Sequence, residues 1–225
     1  SDSLDHLYDH AKQSLFVSRY SSEGEFLWSK SFGSYEFDFI KGAVMDETDN
    51  IYILSVIGSW APGRAQIGKN DVLLTKLNNE GVLVWEKVFG STNKDLPLDL
   101  RLGPDGILNL VYGDESYVRG NDSNAPSKLL KVDQDGNAKS SFDTTLENRN
   151  WSEVPTNFIV SFDGSIIFIG DTTDRPVRDM VPKLSSYGEN GNLQWKVPIT
   201  FGSTDNATKA AVPASDSIMS YWEYT

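Results

Sequence analysis

The chain has 225 residues, no cysteine, and a formal charge of −12 from 32 acidic against 20 basic side chains. The missing cysteine excludes disulfides, thiol catalysis and cysteine-ligated zinc, and the negative charge disfavours nucleic acid and anionic membrane surfaces as partners. Hydrophobic residues make up 39%, enough for a core, yet no run of about 18 apolar residues is present to span a bilayer as a helix.

In chain order, "SLDHLYDHAKQ" (Ser3–Gln13) is the one stretch with some helical periodicity. It holds both histidines, His6 and His10, at the i, i+4 spacing that can grip a divalent metal, with Asp5 and Asp9 as oxygen donors. No partner motif accompanies them, and a solvated terminal turn is the simpler account. No secretory leader is legible before this segment, and a processed secreted chain would have lost one.

From "SLFVSRY" (Ser14–Tyr20) onward the chain reads as short strands punctuated by Asn, Asp and Gly. "GEFLWSKSFGS" (Gly24–Ser34) returns as "GVLVWEKVFGS" (Gly81–Ser91). The glycine of this motif recurs as Gly24, Gly81, Gly136 and Gly191, at intervals of 57, 55 and 55 residues. Trp28, Trp85 and Trp195 follow by four, while the third copy has Ser140 and continues "FDTTLENRNW" (Phe142–Trp151). A second turn signal recurs as Asp49-Asn50, Asp105-Gly106, Asp163-Gly164 and Asp216-Ser217. Two landmarks with nearly one period divide the single domain, residues 1–225, into four tandem units: about 13–70, 71–126, 127–178 and 179–225.

The second unit shows the plan. "DVLLTKL" meets a turn at Asn78–Gly81, "VLVWEKVF" follows, then "LPLDLRL", the "GPDG" turn and "ILNLVYG". Four short strands per unit, repeated in tandem, predict an all-β fold, a β-propeller of four four-stranded blades. One sheet cannot bury both faces, so Gly24, Trp28, Gly81, Trp85, Gly136, Gly191 and Trp195 are read as structural positions, with each Trp docking on a neighbouring blade. The third unit lacks it, and Trp151 is a candidate substitute.

"KLNNEGVLVWEKVFGSTNKD" followed by "GPDGILNLVYG" resembles the bacterial β-propeller repeat of the SBBP type and, more loosely, pyrroloquinoline-quinone-type blades with their Gly-x-x-x-Trp docking pattern. The resemblance covers nearly the whole chain and implies a bacterial propeller whose recurrent Gly and Trp hold blades together. "SLFVSRY" matches the third strand of a blade and "SIMSYWEY" (Ser217–Tyr224) the second. The N- and C-terminal strands are therefore expected to interlock in one blade, closing a four-blade ring that would be a monomer. The alternative is part of a larger propeller.

Catalytic signatures are sparse. There is no G-x-S-x-G elbow and no glycine-rich phosphate loop. "DETDN" (Asp46–Asn50) and "DQDGN" (Asp133–Asn137) begin like calcium loops, but neither continues to a twelfth-position Glu, and hairpin turns suit them better. No cofactor is expected, with weak calcium binding as the alternative and metal ligands otherwise unknown. Sialidase Asp boxes place Gly three residues before Trp, not four, which argues against that relationship.

Variation is concentrated in "GSWAPGRAQIGKND" (Gly58–Asp71), "GDESYVRGNDSNAPSK" (Gly113–Lys128) and "GDTTDRPVRD" (Gly170–Asp179). All three follow the second strand of a unit, so a propeller would present them on one rim. They carry Trp60, Arg64, Tyr117, Arg119, Arg175 and Arg178, residue types enriched at binding hot spots. The expectation is a non-enzymatic binding or interaction module, outside or on the surface of a bacterial cell or in its periplasm, taking a protein or carbohydrate ligand without inserting into a membrane. One alternative is a hydrolase or lyase acting on a polysaccharide or peptide, using Lys41, Asp99, Arg101, Asn157 or Lys209 of the inner strands. The other is a lectin with one sugar site per blade.

Overall fold

The computed structural model describes residues 15–32, 38–58, 67–114, 127–144, 154–171, 183–198, 209–211 and 219–221. All regular structure among them is β, with no helix. β1 (Leu15–Tyr20) and β2 (Phe26–Phe32) form a two-stranded sheet. A four-stranded sheet follows in the order β3 (Phe39–Met45), β4 (Ile51–Ile57), β5 (Asp71–Leu77) and β6 (Leu83–Phe89). β7 (Asp95–Leu102), β8 (Leu108–Asp114), β9 (Lys128–Val132) and β10 (Ala138–Asp143) make the second four-stranded sheet. β11 (Val154–Val160), β12 (Ile166–Asp171), β13 (Lys183–Tyr187) and β14 (Leu193–Pro198) make the third. β15 (Lys209–Ala211) pairs with β16 (Met219–Tyr221). Neighbours in sequence are neighbours in the sheet, as short hairpin connections require.

The chain divides into two compact units, residues 1–100 and 101–225, with the boundary inside β7. In the first unit the middle strands carry the core. β4 ("IYILSVI") and β5 ("DVLLTKL") are apolar on both faces and almost wholly buried, whereas β3 and β6 alternate between exposed and half-buried positions.

One turn is used seven times among the described residues. In Ser21–Glu25, Asp46–Asn50, Asn78–Val82, Gly103–Ile107, Asp133–Asn137, Ser161–Ser165 and Gly188–Asn192, the first N–H donates to the fifth carbonyl and the fourth N–H to the first carbonyl. The fourth residue has positive φ in every case, from 64° at Asp49 to 84° at Gly24. This is the short hairpin loop whose last residue is left-handed. The two turn signals in the sequence are therefore the same device at both ends of the sheets, with Asp49 tolerated where the other six have glycine.

A β-bulge follows the turn in each of the four repeats. Arg19 pairs with Trp28 and Tyr20 with Phe26, so Leu27 is the extra residue. Val84 and Gln194 are extra in the same way before Trp85 and Trp195, and Lys139 precedes Ser140. The bulge turns the Trp to the sheet face opposite the residue two before it, which simple alternation would not allow.

That aim decides how the first hairpin packs. Leu15 and Phe32 of β1–β2 meet Ile53 and Leu77 of the next sheet, with Val17, Trp28, Ile51 and Leu83 around them. The Trp28 ring lies on Gly81, where a β-carbon would sit 2.9 Å from Cδ2 and Cε3. Its indole N–H donates to the Asn79 carbonyl at 3.0 Å. Arg19 donates to the same carbonyl at 2.8 Å and pairs with Asp49 at 2.8 Å.

The second unit repeats the contact with a different ring. Phe142, two residues beyond Ser140, lies on Gly191, where a β-carbon would be 2.5 Å from its Cγ. Phe142 also stacks on Tyr187 at 5.8 Å, and Tyr187 continues edge-on to Phe168 and then Phe158. Trp151, the residue expected to replace the missing Trp, lies outside the described residues; the ring over this glycine is Phe142.

Gly81 and Gly24 form a matched pair for measurement. Both have positive φ, but no described atom lies within 4 Å of a β-carbon on Gly24. Alanine at either position carries about 1–2 kcal/mol of left-handed strain. Gly81→Ala should cost a further ~1–3 kcal/mol because it displaces the Trp28 ring, read as the difference in urea unfolding free energy between the two variants.

Candidate functional site

The candidate rim loop between β4 and β5 is fastened at its base by buried side chains. Asp71, at the start of β5, accepts from the backbone N–H groups of Ile67 at 3.0 Å and Gly68 at 2.9 Å. Asp95, at the start of β7, accepts from Ser91 N–H and hydroxyl at 2.6 and 2.9 Å. The two segments run against each other. Lys69 N–H donates to the Asn93 carbonyl, Asp95 N–H to that of Asn70, and Asn70 bridges Lys94. Gly68 is required there because a β-carbon would overlap the Ser91 and Asn93 carbonyl oxygens.

Asp71 and Asp95 come close together beneath Gly90, whose β-carbon position is 3.0 Å from Asp71 Oδ1 and 2.9 Å from Asp95 Oδ2. Asp38, buried before β3, accepts from Gly58 N–H at 3.1 Å, at the other end of the same loop. In the second unit Ser127, just before β9, and Thr144, just after β10, join the open end of that hairpin. Both are buried, their hydroxyls share a short hydrogen bond, and Thr144 N–H donates to the Ser127 carbonyl. Buried carboxylates and hydroxyls here satisfy loop backbone, as buried polar groups must.

The acidic turns are built differently. Asp46 accepts five hydrogen bonds: Thr48 N–H and hydroxyl, Asn50 N–H and side-chain amide, and the Tyr52 hydroxyl, all at 2.8–2.9 Å. Burial opposes its ionisation, but the bonds from Asn50, Thr48 and Tyr52 outweigh burial and hold the carboxyl well below its ordinary range. Asp133 is likewise lowered, first by Lys139 at 2.7 Å and then by Asn137. Asp163 is lowered by the Ser165 hydroxyl and N–H. The calcium-loop beginnings of the sequence thus serve as turn caps whose oxygens face internal donors. Among the described residues no group of three or more His, Asp or Glu side chains is arranged to hold a metal. His6, His10, Asp5 and Asp9 lie outside those residues.

Of the inner-strand polar residues, Arg101 and Asn157 are brought together: Arg101 donates to Asn157 Oδ1 at 2.9 Å and to the Phe158 carbonyl at 3.1 Å. Asp99 accepts from Leu100 N–H at 2.8 Å, and Lys41 is exposed on β3. The side chain of Lys209 lies outside the description. So do Trp60, Arg64, Tyr117, Arg119, Arg175 and Arg178, all in segments 59–66, 115–126 and 172–182. The loop anchors Asp38, Asp71 and Asp95 were missed by the sequence reading; their signal is an Asp just before or at the first residue of a strand that follows a variable loop.

No family model and no curated protein matches the chain. Among solved structures, a protein of unknown function from Bacteroides caccae is similar over 79% of this chain, with 13% identity and a TM-score of 0.49. The chain spans 52% of that protein's length.

The Asp46 cap has a defined pH signature. A lowered carboxyl contributes stability that is complete above its ordinary value near 3.8 and is lost as acid carries the pH through the lower folded value. Asp46→Asn should lower unfolding free energy at neutral pH by about 1–3 kcal/mol, since it strands part of a buried donor set. The gap between wild type and variant should narrow in urea titrations as the pH falls from 5 toward 2, both roughly set by the same linkage.

Proposed function

We propose that the chain is a β-propeller of SBBP-like repeats acting as a non-enzymatic binding module on or outside a bacterial cell. The observation that carries this reading is how the aromatic and acidic side chains of the described repeats are used. Trp28 and Phe142 are committed to packing on Gly81 and Gly191, and Asp38, Asp71 and Asp95 to fastening loops. What differs between repeats is the loop sequence that these anchors hold, and loops on a rigid β scaffold are where binding is commonly placed.

Two ring sizes accommodate the repeats. In the smaller, β15–β16 and β1–β2 complete one blade of four. In the larger, the first and last repeats have further neighbours. A protein or carbohydrate ligand fits the rim residues, whose Arg and aromatic side chains suit planar and hydroxyl-bearing partners alike.

A combined variant replacing Trp60, Arg64, Tyr117, Arg119, Arg175 and Arg178 by alanine separates ligand contact from folding. On glycan and peptide arrays the wild type should bind a defined ligand class and the variant should lose that binding by at least about tenfold, with an unchanged urea midpoint. Release of cleaved products from a bound glycan or peptide would instead establish an enzyme.

A further inference from the structure

One cross-strand row of the second four-stranded sheet departs from its counterpart in the first. In the first sheet the row is Tyr52, Lys76 and Trp85, paired across β4, β5 and β6. Its members are occupied with one another. The Lys76 ammonium stands 5.1 Å from the centre of the Tyr52 ring, and the Tyr52 and Trp85 rings are 6.0 Å apart. The Tyr52 hydroxyl donates to Asp46 at 2.9 Å. In the second sheet the row is Asn109, Lys131 and Ser140, paired across β8, β9 and β10. The turn position that Asp46 holds is here Gly103. The lysine is kept, while both rings and the carboxylate are gone.

What remains is buried and unpaired. Asn109 is 1% exposed; its side-chain N–H donates to the Ile107 carbonyl at 3.0 Å, but its Oδ1 accepts no hydrogen bond. Lys131 is 7% exposed and has no hydrogen bond or ion pair among the described residues. Ser55 and Ser185 also bury a hydroxyl oxygen without a partner, but neither shares its row with an unpaired charge. The face that Asn109 and Lys131 share is covered by β11–β14 of the same compact unit. Phe142, two residues from Ser140 on that face, lies on Gly191 and stacks on Tyr187, and a β-carbon on Gly103 would meet both Val160 and the Asn109 amide. A buried polar group left unpaired costs free energy that an apolar residue of like shape avoids. Local rules broken in this way are expected where a site binds something.

We propose that Asn109 and Lys131 hold a hydroxyl group of a carbohydrate between the second and third four-stranded sheets. The pair selects the chemistry. The ammonium needs an acceptor and the amide oxygen needs a donor, and a hydroxyl is both. A carboxylate or phosphate would satisfy Lys131 but be repelled by Asn109 Oδ1, and a metal cation would suit that oxygen but be repelled by the ammonium. The chain's charge of −12 also favours a neutral ligand over an anion. Cross-strand neighbours are about 4.5–5.5 Å apart at Cβ, so Ser140, next in the row, is within reach of a neighbouring hydroxyl on the same molecule. The row lies at the turn end of β8 and β9, the opposite end from the connection between them. The site is therefore separate from the rim residues and does not rest on the propeller reading.

The test is amide NMR titration of the full 225-residue chain with methyl α-D-glucoside, methyl α-D-mannoside and methyl β-D-galactoside, and with inorganic phosphate for comparison. At least one glycoside should shift the backbone amides of Asn109, Lys131 and Ser140 saturably. Lys131→Met and Asn109→Leu keep side-chain bulk and should each weaken that binding roughly tenfold or more, the scale for losing a hydrogen bond to a charged or buried group. Neither substitution removes a partner from the protein, so the urea midpoint of each variant should equal or exceed that of the wild type. The sixfold rim variant keeps the row and should bind the glycoside as the wild type does, which separates a failure of this site from a failure of the rim. The proposal is overturned by the absence of a saturable shift with any glycoside, by a shift with phosphate alone, or by Lys131→Met or Asn109→Leu binding as tightly as the wild type. A midpoint lowered by either substitution, or glycoside binding lost in the rim variant, would overturn it equally.

Discussion

A four-stranded sheet has two faces, and a sheet built on two nearly all-apolar central strands cannot leave either face to water. The Trp28 ring on Gly81 is how the first hairpin covers the β3–β6 sheet. A large aromatic ring gains most from burial when it lies flat against backbone, and only glycine leaves room for that approach. At about 25 cal/mol per Å², partial burial of such a ring contributes on the order of 2–4 kcal/mol. The hydrogen bond from the indole to Asn79, and the Arg19 bridge to Asn79 and Asp49, then set the lateral position of the ring. Turn, bulge and ring are one mechanism. The left-handed fourth residue shapes the hairpin, the bulge rotates the aromatic to the outer face, and the next glycine receives it.

Much of this framework was legible in the sequence because it rests on local chemistry. β5, β6 and β8 fall where "DVLLTKL", "VLVWEKVF" and "ILNLVYG" placed strands, and the turn residues Asn78–Gly81 and Gly103–Gly106 where the turns were read. The sequence did not show that its two turn landmarks are one turn, because the first position varies among Ser, Asn, Asp and Gly and the fourth among Gly and Asp49. Nor could it show the bulge, since Leu27, Val84 and Gln194 share no residue type. Phe142 was hidden for the same reason. Its position two beyond Ser140 looks out of register until the face, and not the count from glycine, is compared.

The candidate site was less legible for a physical cause. Repetition advertises packing, so the recurrent residues are the ones that hold sheets together. The carboxylates that looked suited to calcium or acid–base chemistry are drawn into turns and loop bases, where backbone N–H groups and neighbouring hydroxyls claim their lone pairs. Asp38, Asp71 and Asp95 were not singled out as site residues, yet they tie down both ends of the loop between β4 and β5 and the turn before β7. They make the loops between them a supported surface, and that support underlies the binding reading.

The central claim is that an aromatic ring of one repeat lies on the turn glycine of the following one. Proton NMR reads this directly, because a ring lying on a glycine shifts the α-protons of that residue upfield. The account predicts upfield Gly81 α-protons in the wild type that return to ordinary positions in Trp28→Leu, and the same response of Gly191 to Phe142→Leu. Gly81 α-protons at ordinary positions in the wild type, or unmoved by loss of the Trp28 ring, would contradict it.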